Sequence, residues 1–156
     1  MEIGKKTPKF NSVNQSDVAV SSDDLTGKPF ILFFYPRDNT SGCTKEAIGF
    51  TENTDAFAKL GITILGVSKD SVKSHVKFIE KQNLGMDLLS DENGTMCEDF
   101  GVWKEKSMYG KTYFGIERST FVISKTGMLL AEWRKVKVPG HVDAVLEWAQ
   151  NNADAL

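Results

Sequence analysis

The chain has 156 residues, 40% of them hydrophobic and 26% charged, which is typical of one ordinary domain spanning residues 1–156. A chain of this length can bury a core without disulfide bonds or metal ions. Its net charge of −2 gives no reason to expect nucleic acid or an anionic membrane as a partner, and no stretch approaches the roughly 18 apolar residues of a membrane span.

Two cysteines, Cys43 and Cys97, are too few for a disulfide scaffold. Residues 1–6 lack the apolar stretch of a signal peptide, so we expect a cytoplasmic protein. In that reducing compartment both cysteines are expected to be free thiols. The ordinary role of a free cysteine is that of a small buried apolar residue, so any other role must be indicated by its surroundings.

The first half of the chain alternates between strand and helix patterns. Residues 1–25 are polar and broken, which predicts loops and at most a small hairpin. The apolar run 30–35 predicts a strand buried on both faces. Apolar residues then recur at helical spacing from Ala47 to Phe57, which predicts a helix of about four turns that ends near Gly61.

The middle of the chain continues this alternation. Residues 62–67 predict a second buried strand, and Ser71 is a candidate N-cap of an amphipathic helix. Residues 87–89 predict a short strand, and 95–101 a short helix. The polar stretch 104–117 is interpreted as a loop.

The end of the chain predicts a hairpin and a closing helix. The strands 120–123 and 128–133 flank a short glycine-containing turn, and apolar spacing from Val142 to Ala149 predicts the helix. The order β-α-β-α-β-α-β-β-α indicates an α/β protein with a mixed central sheet and helices on both faces. This is the thioredoxin-like layout, although the pattern alone fits several doubly wound folds.

Cys43 follows a predicted buried strand and opens a predicted helix. The unpaired N–H groups and the positive dipole end of a first helical turn favour a thiolate over a thiol. A helix terminus supplies roughly 0.3–1 kcal/mol, whereas a tenfold change in ionisation needs about 1.4 kcal/mol. We therefore expect a cation near Cys43 as well.

The spacing Pro36-x-x-x-Thr40-x-x-Cys43 matches the active-site signature of the peroxiredoxins. The wider string 35–47, with further motifs at 100–110 and 115–123, resembles the bacterioferritin comigratory protein, or peroxiredoxin Q, branch, in register from about residue 4 to 150. The resemblance implies a thioredoxin-like fold and a thiol-dependent peroxidase acting on hydrogen peroxide and organic hydroperoxides. It implies no cofactor and no metal.

The resemblance also assigns roles to individual residues. Cys43 would be the peroxidatic thiolate, which attacks a peroxide oxygen and becomes sulfenic acid. Arg118 would be the expected cation and would also donate to the peroxide. Thr40 would accept from the peroxide and donate to the thiolate, and Pro36 would shield the thiolate from water. Backbone N–H groups of Gly42 and Cys43 would stabilise charge on the leaving oxygen.

The sequence departs from this branch at the usual resolving position, five residues after Cys43, where Ile48 has no thiol. We therefore predict a one-cysteine cycle, in a monomer, with thioredoxin, glutaredoxin or glutathione as the reductant. Cys97 is expected in the core or half-buried. An atypical two-cysteine cycle through Cys97 is the alternative, and it requires the two α-carbons to come within about 7 Å.

Three other classes of protein fit the sequence less well. A cysteine hydrolase needs a histidine beside Cys43, and both His75 and His141 are expected to be half-exposed helix residues. A zinc site needs ligands at short paired spacings, which the chain lacks. A thioredoxin-fold binding or chaperone-like module with incidental peroxidase activity has no need of Pro36, Thr40, Cys43 and Arg118 together. The segment 108–114 could serve as a partner surface or a lid over the site.

Overall fold

The computed structural model describes all 156 residues, in nine strands, five α-helices and two short 3-10 helices. The strands are β1 (Asn11–Asn14), β2 (Ala19–Ser21), β3 (Phe30–Phe34), β4 (Thr63–Ser68), β5 (Asp87–Ser90), β6 (Trp103–Met108), β7 (Lys111–Ile116), β8 (Ser119–Ile123) and β9 (Leu129–Trp133). The helices are α1 (Ser41–Glu52), α2 (Thr54–Lys59), α3 (Val72–Gln82), α4 (Met96–Asp99) and α5 (His141–Asn151). No helix has the length and apolar character needed to cross a membrane.

Seven strands form one mixed sheet in the order β2-β1-β5-β4-β3-β8-β9. The pairs β3–β4 and β4–β5 are parallel, whereas β3–β8 and β8–β9 are antiparallel. Parallel neighbours need crossover helices, and α3 makes the connection from β4 to β5. The prediction of a mixed α/β sheet is confirmed, as is the predicted hairpin of β8 and β9.

The strand β3 lies between two apolar cores. Its side chains alternate, so Ile31 and Phe33 pack with Phe50 and Phe78 on one face. Leu32 and Phe34 face a second core on the other side, whose members include Met96, Phe100 and Phe121. All five residues of β3 are buried, as the continuous apolar run predicts. The strand thereby fixes the position from which the following loop and α1 begin.

The predicted four-turn helix after Cys43 is divided at Asn53 into α1 and α2. The Asn53 amide donates to the Gly49 carbonyl oxygen at 2.8 Å, and the Thr51 and Thr54 hydroxyls bond the Ala47 and Thr51 carbonyl oxygens. Such side chains compete with the helical backbone bonds, which is why the helix is interrupted at this cluster of short polar residues.

The prediction of a loop over 104–117 is wrong, because β6 and β7 form a separate two-stranded antiparallel sheet. Its turn consists of Tyr109 and Gly110, which both have positive φ, 53° and 78°. This conformation matches the twist of a tight hairpin. Four large apolar side chains are exposed on the hairpin, namely Met108, Tyr109, Tyr113 and Phe114. The high polarity of the segment concealed its strand character. The small hairpin expected within residues 1–25 is present as β1 and β2.

Candidate active site

Cys43 is the third residue of α1, and its side chain is 1% exposed. Thr40 is the extended N-cap residue, and its carbonyl oxygen accepts the first helical bond from the Thr44 N–H at 2.9 Å. The backbone N–H groups of Gly42 and Cys43 have no acceptor within the protein. Cys43 therefore occupies the first helical turn that the sequence predicts, beside donors that remain available to a ligand.

Arg118, immediately before β8, reaches Cys43 across 75 residues of chain. Its Nη2 donates to Cys43 Sγ at 3.2 Å, and its Nη1 donates to Glu46 Oε1 at 2.8 Å. Burial opposes the guanidinium charge, but Glu46 and Cys43 outweigh it and hold the pKa of Arg118 above its ordinary value. A β-carbon at Gly42 would lie 3.2 Å from Nη2, so the absence of a side chain there lets the guanidinium approach α1.

Glu46 is a site residue that the sequence reasoning missed. It lies three residues after Cys43, which places both side chains on the same face of α1. Its side chain is fully buried, and burial raises its pKa to about 7, although Arg118 partly offsets this. Oε2 has no hydrogen-bond partner. The helical spacing was the available signal, and Glu46 fixes one arm of the Arg118 guanidinium while the other arm contacts Cys43.

The expectation that both histidines are half-exposed is wrong. His141 is buried between the rings of Phe50 and Trp133, and its Nε2 lies 2.8 Å from Thr120 Oγ1. Burial, and then the charge of Arg118, lowers the pKa of His141 to about 4. His75 is also fully buried, in α3. Neither ring bonds Cys43, whose hydrogen-bonding partner is Arg118, so the arrangement is not a cysteine–histidine pair.

Thr40 and Pro36 are exposed at the mouth of the site. The Thr40 hydroxyl donates to the Arg37 carbonyl oxygen at 2.9 Å and does not bond Cys43. Both residues line a cavity of about 640 Å³, whose far wall is the hairpin of β6 and β7. On that wall Lys106 donates to the Ile116 carbonyl oxygen at 2.6 Å, and burial followed by the charge of Arg118 lowers its pKa.

Cys97 lies in the second core, on the other side of the sheet, and is fully buried as expected. The Asp91 carboxylate accepts from the backbone N–H groups of Met96 and Cys97 at 3.0 and 2.8 Å. Burial, followed by the negative charge of Asp91, raises the pKa of the Cys97 thiol far above its ordinary value. This thiol is therefore a poor nucleophile.

The chain is similar to known proteins along most of its length. Residues 3–131 match the model of the AhpC/TSA family. The chain is 48% identical to peroxiredoxin Bcp of Bacillus subtilis over 147 residues, 94% of each chain, and 39% identical to peroxiredoxin Bcp of Escherichia coli over 153 residues, 98% of each.

Solved structures give the same result. Peroxiredoxin Q of Xanthomonas campestris is 44% identical, with a TM-score of 0.88 over 92% of this chain and 91% of that one. The bacterioferritin comigratory protein of the same organism, described in connection with alkyl peroxide reduction, is 40% identical, with a TM-score of 0.90 over 97% of this chain and 99% of that one.

Proposed function

The chain belongs to the AhpC/TSA family and, within it, to the Bcp or peroxiredoxin Q thiol peroxidases, and we propose that Cys43 is its peroxidatic residue in a one-cysteine cycle. The observation that supports this assignment most directly is the 3.2 Å contact from Arg118 Nη2 to Cys43 Sγ. A fixed cation against a buried sulfur stabilises the thiolate, which is the form that attacks a peroxide.

In the first half-reaction the Cys43 thiolate attacks one oxygen of the hydroperoxide. An S–O bond forms, the O–O bond breaks, and its electron pair leaves on the distal oxygen, which takes a proton to give an alcohol or water. Cys43 becomes sulfenic acid. The free N–H groups of Gly42 and Cys43 and the Arg118 fork are donors for the negative charge that develops on the peroxide oxygens.

Thr40 and Pro36 act at the entrance to the site in this proposal. Because the Thr40 hydroxyl hydrogen is directed to the Arg37 carbonyl oxygen, its lone pairs are available to accept from an incoming peroxide. In this arrangement Thr40 orients the substrate and does not donate to the thiolate. Pro36 contributes no N–H and restricts the approach of water.

An external thiol completes the cycle. It attacks the Cys43 sulfenic acid, releasing water and leaving a mixed disulfide, and a second thiol restores Cys43 as the external disulfide leaves. Two observations favour this route over an internal one. Ile48 occupies the usual resolving position, and Cys97 lies in the opposite core, its thiolate disfavoured by burial and by Asp91. Thioredoxin, glutaredoxin and glutathione are the candidate reductants.

The substrate class includes organic hydroperoxides as well as hydrogen peroxide. The cavity lined by Pro36 and Thr40 is also lined by apolar side chains of the hairpin, including Trp103, Met108 and Phe114, which suit an alkyl chain. We further propose a monomer located in the cytoplasm, where both cysteines remain free thiols.

Stopped-flow oxidation with one equivalent of hydrogen peroxide tests the assignment. We expect fast thiol loss in the wild type and in Cys97→Ser, and none of this fast phase in Cys43→Ser. Mass spectrometry of the oxidised wild type should show a trappable sulfenic acid at Cys43. An abundant Cys43–Cys97 bridge would contradict the one-cysteine cycle. Oxidation no faster than that of an ordinary exposed thiol would contradict the peroxidase assignment itself and favour a binding module.

A further inference from the structure

Asp38 is a buried carboxylate in the otherwise exposed loop 36–40, which leads into α1. The residue as a whole is 6% exposed. The Tyr35 hydroxyl donates to Oδ1 at 2.6 Å, the Ser74 hydroxyl donates to Oδ2 at 2.7 Å, and His75 Nδ1 lies 2.8 Å from Oδ2. A buried carboxylate is costly unless it is paired and hydrogen-bonded, so these contacts fix where the loop lies.

The hydrogen positions in this network follow from the acceptors. His75 Nε2 lies 2.9 Å from the Leu89 carbonyl oxygen, which can only accept, so Nε2 carries a hydrogen. One further hydrogen is then shared between His75 Nδ1 and Asp38 Oδ2. Burial, and then the charge of Asp38, raises the pKa of Tyr35, so its hydroxyl remains a donor. Both carboxylate oxygens of Asp38 and both ring nitrogens of His75 therefore have a hydrogen-bond partner.

The backbone of the loop is held as well. The Asp38 N–H donates to Asp70 Oδ2 at 2.9 Å, and the Ser68 hydroxyl donates to the same oxygen at 2.6 Å. The next residue, Asn39, has φ of 61°, in the left-handed region that asparagine tolerates better than most residues other than glycine. The loop is thus fixed by contacts to α3 and to the segment that joins β4 to α3.

We propose that Asp38 is a positioning residue for the peroxidase reaction, which ties the loop 36–40 to α3 so that Thr40 and the first turn of α1 face the peroxide. This inference rests on the proposed role of Cys43. Asp38 does not bond Cys43 and acts through the loop, because the free N–H groups of Gly42 and Cys43 lie only four and five residues after it in the chain. A displacement of about 1 Å at such groups can slow a reaction about 100-fold.

Two substitutions separate geometry from charge. Asp38→Ala removes all three contacts, and we expect oxidation of Cys43 by hydrogen peroxide to slow about 100-fold. In Asp38→Asn the amide oxygen can accept from Tyr35 and the amide nitrogen can donate to a neutral His75 ring. We therefore expect Asp38→Asn to stay within about tenfold of the wild type. Rate constants are measured by stopped flow in the Cys97→Ser background, per folded molecule.

Leu129→Ala is the matched control for lost stability. Leu129 is fully buried in the second core, away from the loop, and its truncation costs roughly 2–5 kcal/mol of stability. We expect its oxidation rate constant to remain that of the wild type. Ser74→Ala removes one of the three donors to Asp38, and we expect a rate about fivefold lower. This milder variant keeps the test decisive if Asp38→Ala does not fold.

Three results would overturn the positioning role. The first is a wild-type rate in Asp38→Ala or, where that variant does not fold, in Ser74→Ala. The second is an Asp38→Asn rate as low as that of Asp38→Ala. The third is a rate in Leu129→Ala that falls as far as in Asp38→Ala. A wild-type protein whose Cys43 is unreactive would instead refute the proposed function, so the two failures are distinguishable.

Discussion

The two cysteines have nearly the same exposure and opposite electrostatic surroundings. Cys43 and Cys97 are 1% and 0% exposed, in the two cores on either side of the sheet. Arg118 donates to the sulfur of Cys43, whereas the Asp91 carboxylate lies beside Cys97. Burial is common to both positions, so the difference between them lies in the nearest charge, a cation at Cys43 and an anion at Cys97.

The largest expected effect comes from removing the cation at Cys43. Arg118→Ala should slow Cys43 oxidation by hydrogen peroxide about 10²–10³-fold, because it removes both a charge and a directed donor. Arg134→Ala is the matched control, since Arg134 bonds the Phe100 and Gly101 carbonyl oxygens and does not contact Cys43. Stopped-flow rate constants give the comparison. Equal slowing in both variants would show that the effect is not specific to the site.

A second prediction concerns Glu46, the carboxylate that shares Arg118 with Cys43. Its pKa is raised by burial from 4.5 to about 7, so the stability that it contributes is present below pH 4.5 and is lost as pH rises through 7. Relative to Glu46→Gln, the wild type should lose about 3 kcal/mol of unfolding free energy across this range. Urea unfolding at a series of pH values measures the difference.

Two comparisons isolate the effect of Glu46. The stability that His141 contributes changes with pH in the opposite direction, since its lowered pKa removes stability as pH falls from 6.5 towards 4. Because His141 Nε2 lies 3.8 Å from Glu46 Oε2, the two contributions are coupled, and the same comparison is therefore repeated in a His141→Gln background. Glu52→Gln, at an exposed position of α1, should leave the pH profile unchanged. A Glu46→Gln profile parallel to that of the wild type would refute the raised pKa.

The smallest effect is expected at Cys97. Asp91→Asn removes the neighbouring anion and one of the two acceptors for the Met96 and Cys97 N–H groups, and burial remains the larger cause of the raised pKa of Cys97. In a Cys43→Ser background we expect alkylation of Cys97 by iodoacetamide to accelerate only about threefold. An increase of several orders of magnitude would show that charge, rather than burial, keeps this thiol inert.

The family and the α/β fold were predicted correctly from motif spacing and apolar patterns, because both are properties of short segments. The residues proposed for the reaction were named from a resemblance, and their roles stay predictions. The secondary structure of segments that mix charged and apolar residues is harder to predict. The β6–β7 hairpin is rich in charged residues, which predicts a loop, and its Tyr109-Gly110 turn lacks the Asn-Gly or Asp-Gly pair that signals a tight hairpin.

By itself the sequence determined the local features: the buried strand β3, Cys43 in the first turn of α1, and the Ser71 N-cap, whose hydroxyl accepts from the Ser74 N–H at 3.1 Å. These follow from neighbouring residues and from helix and strand periodicity. Only the tertiary structure decided that His75 is buried against Asp38, and that Arg118 lies beside Cys43 across 75 residues. Burial and charge pairing depend on which distant segments pack together, and periodicity carries no information about that.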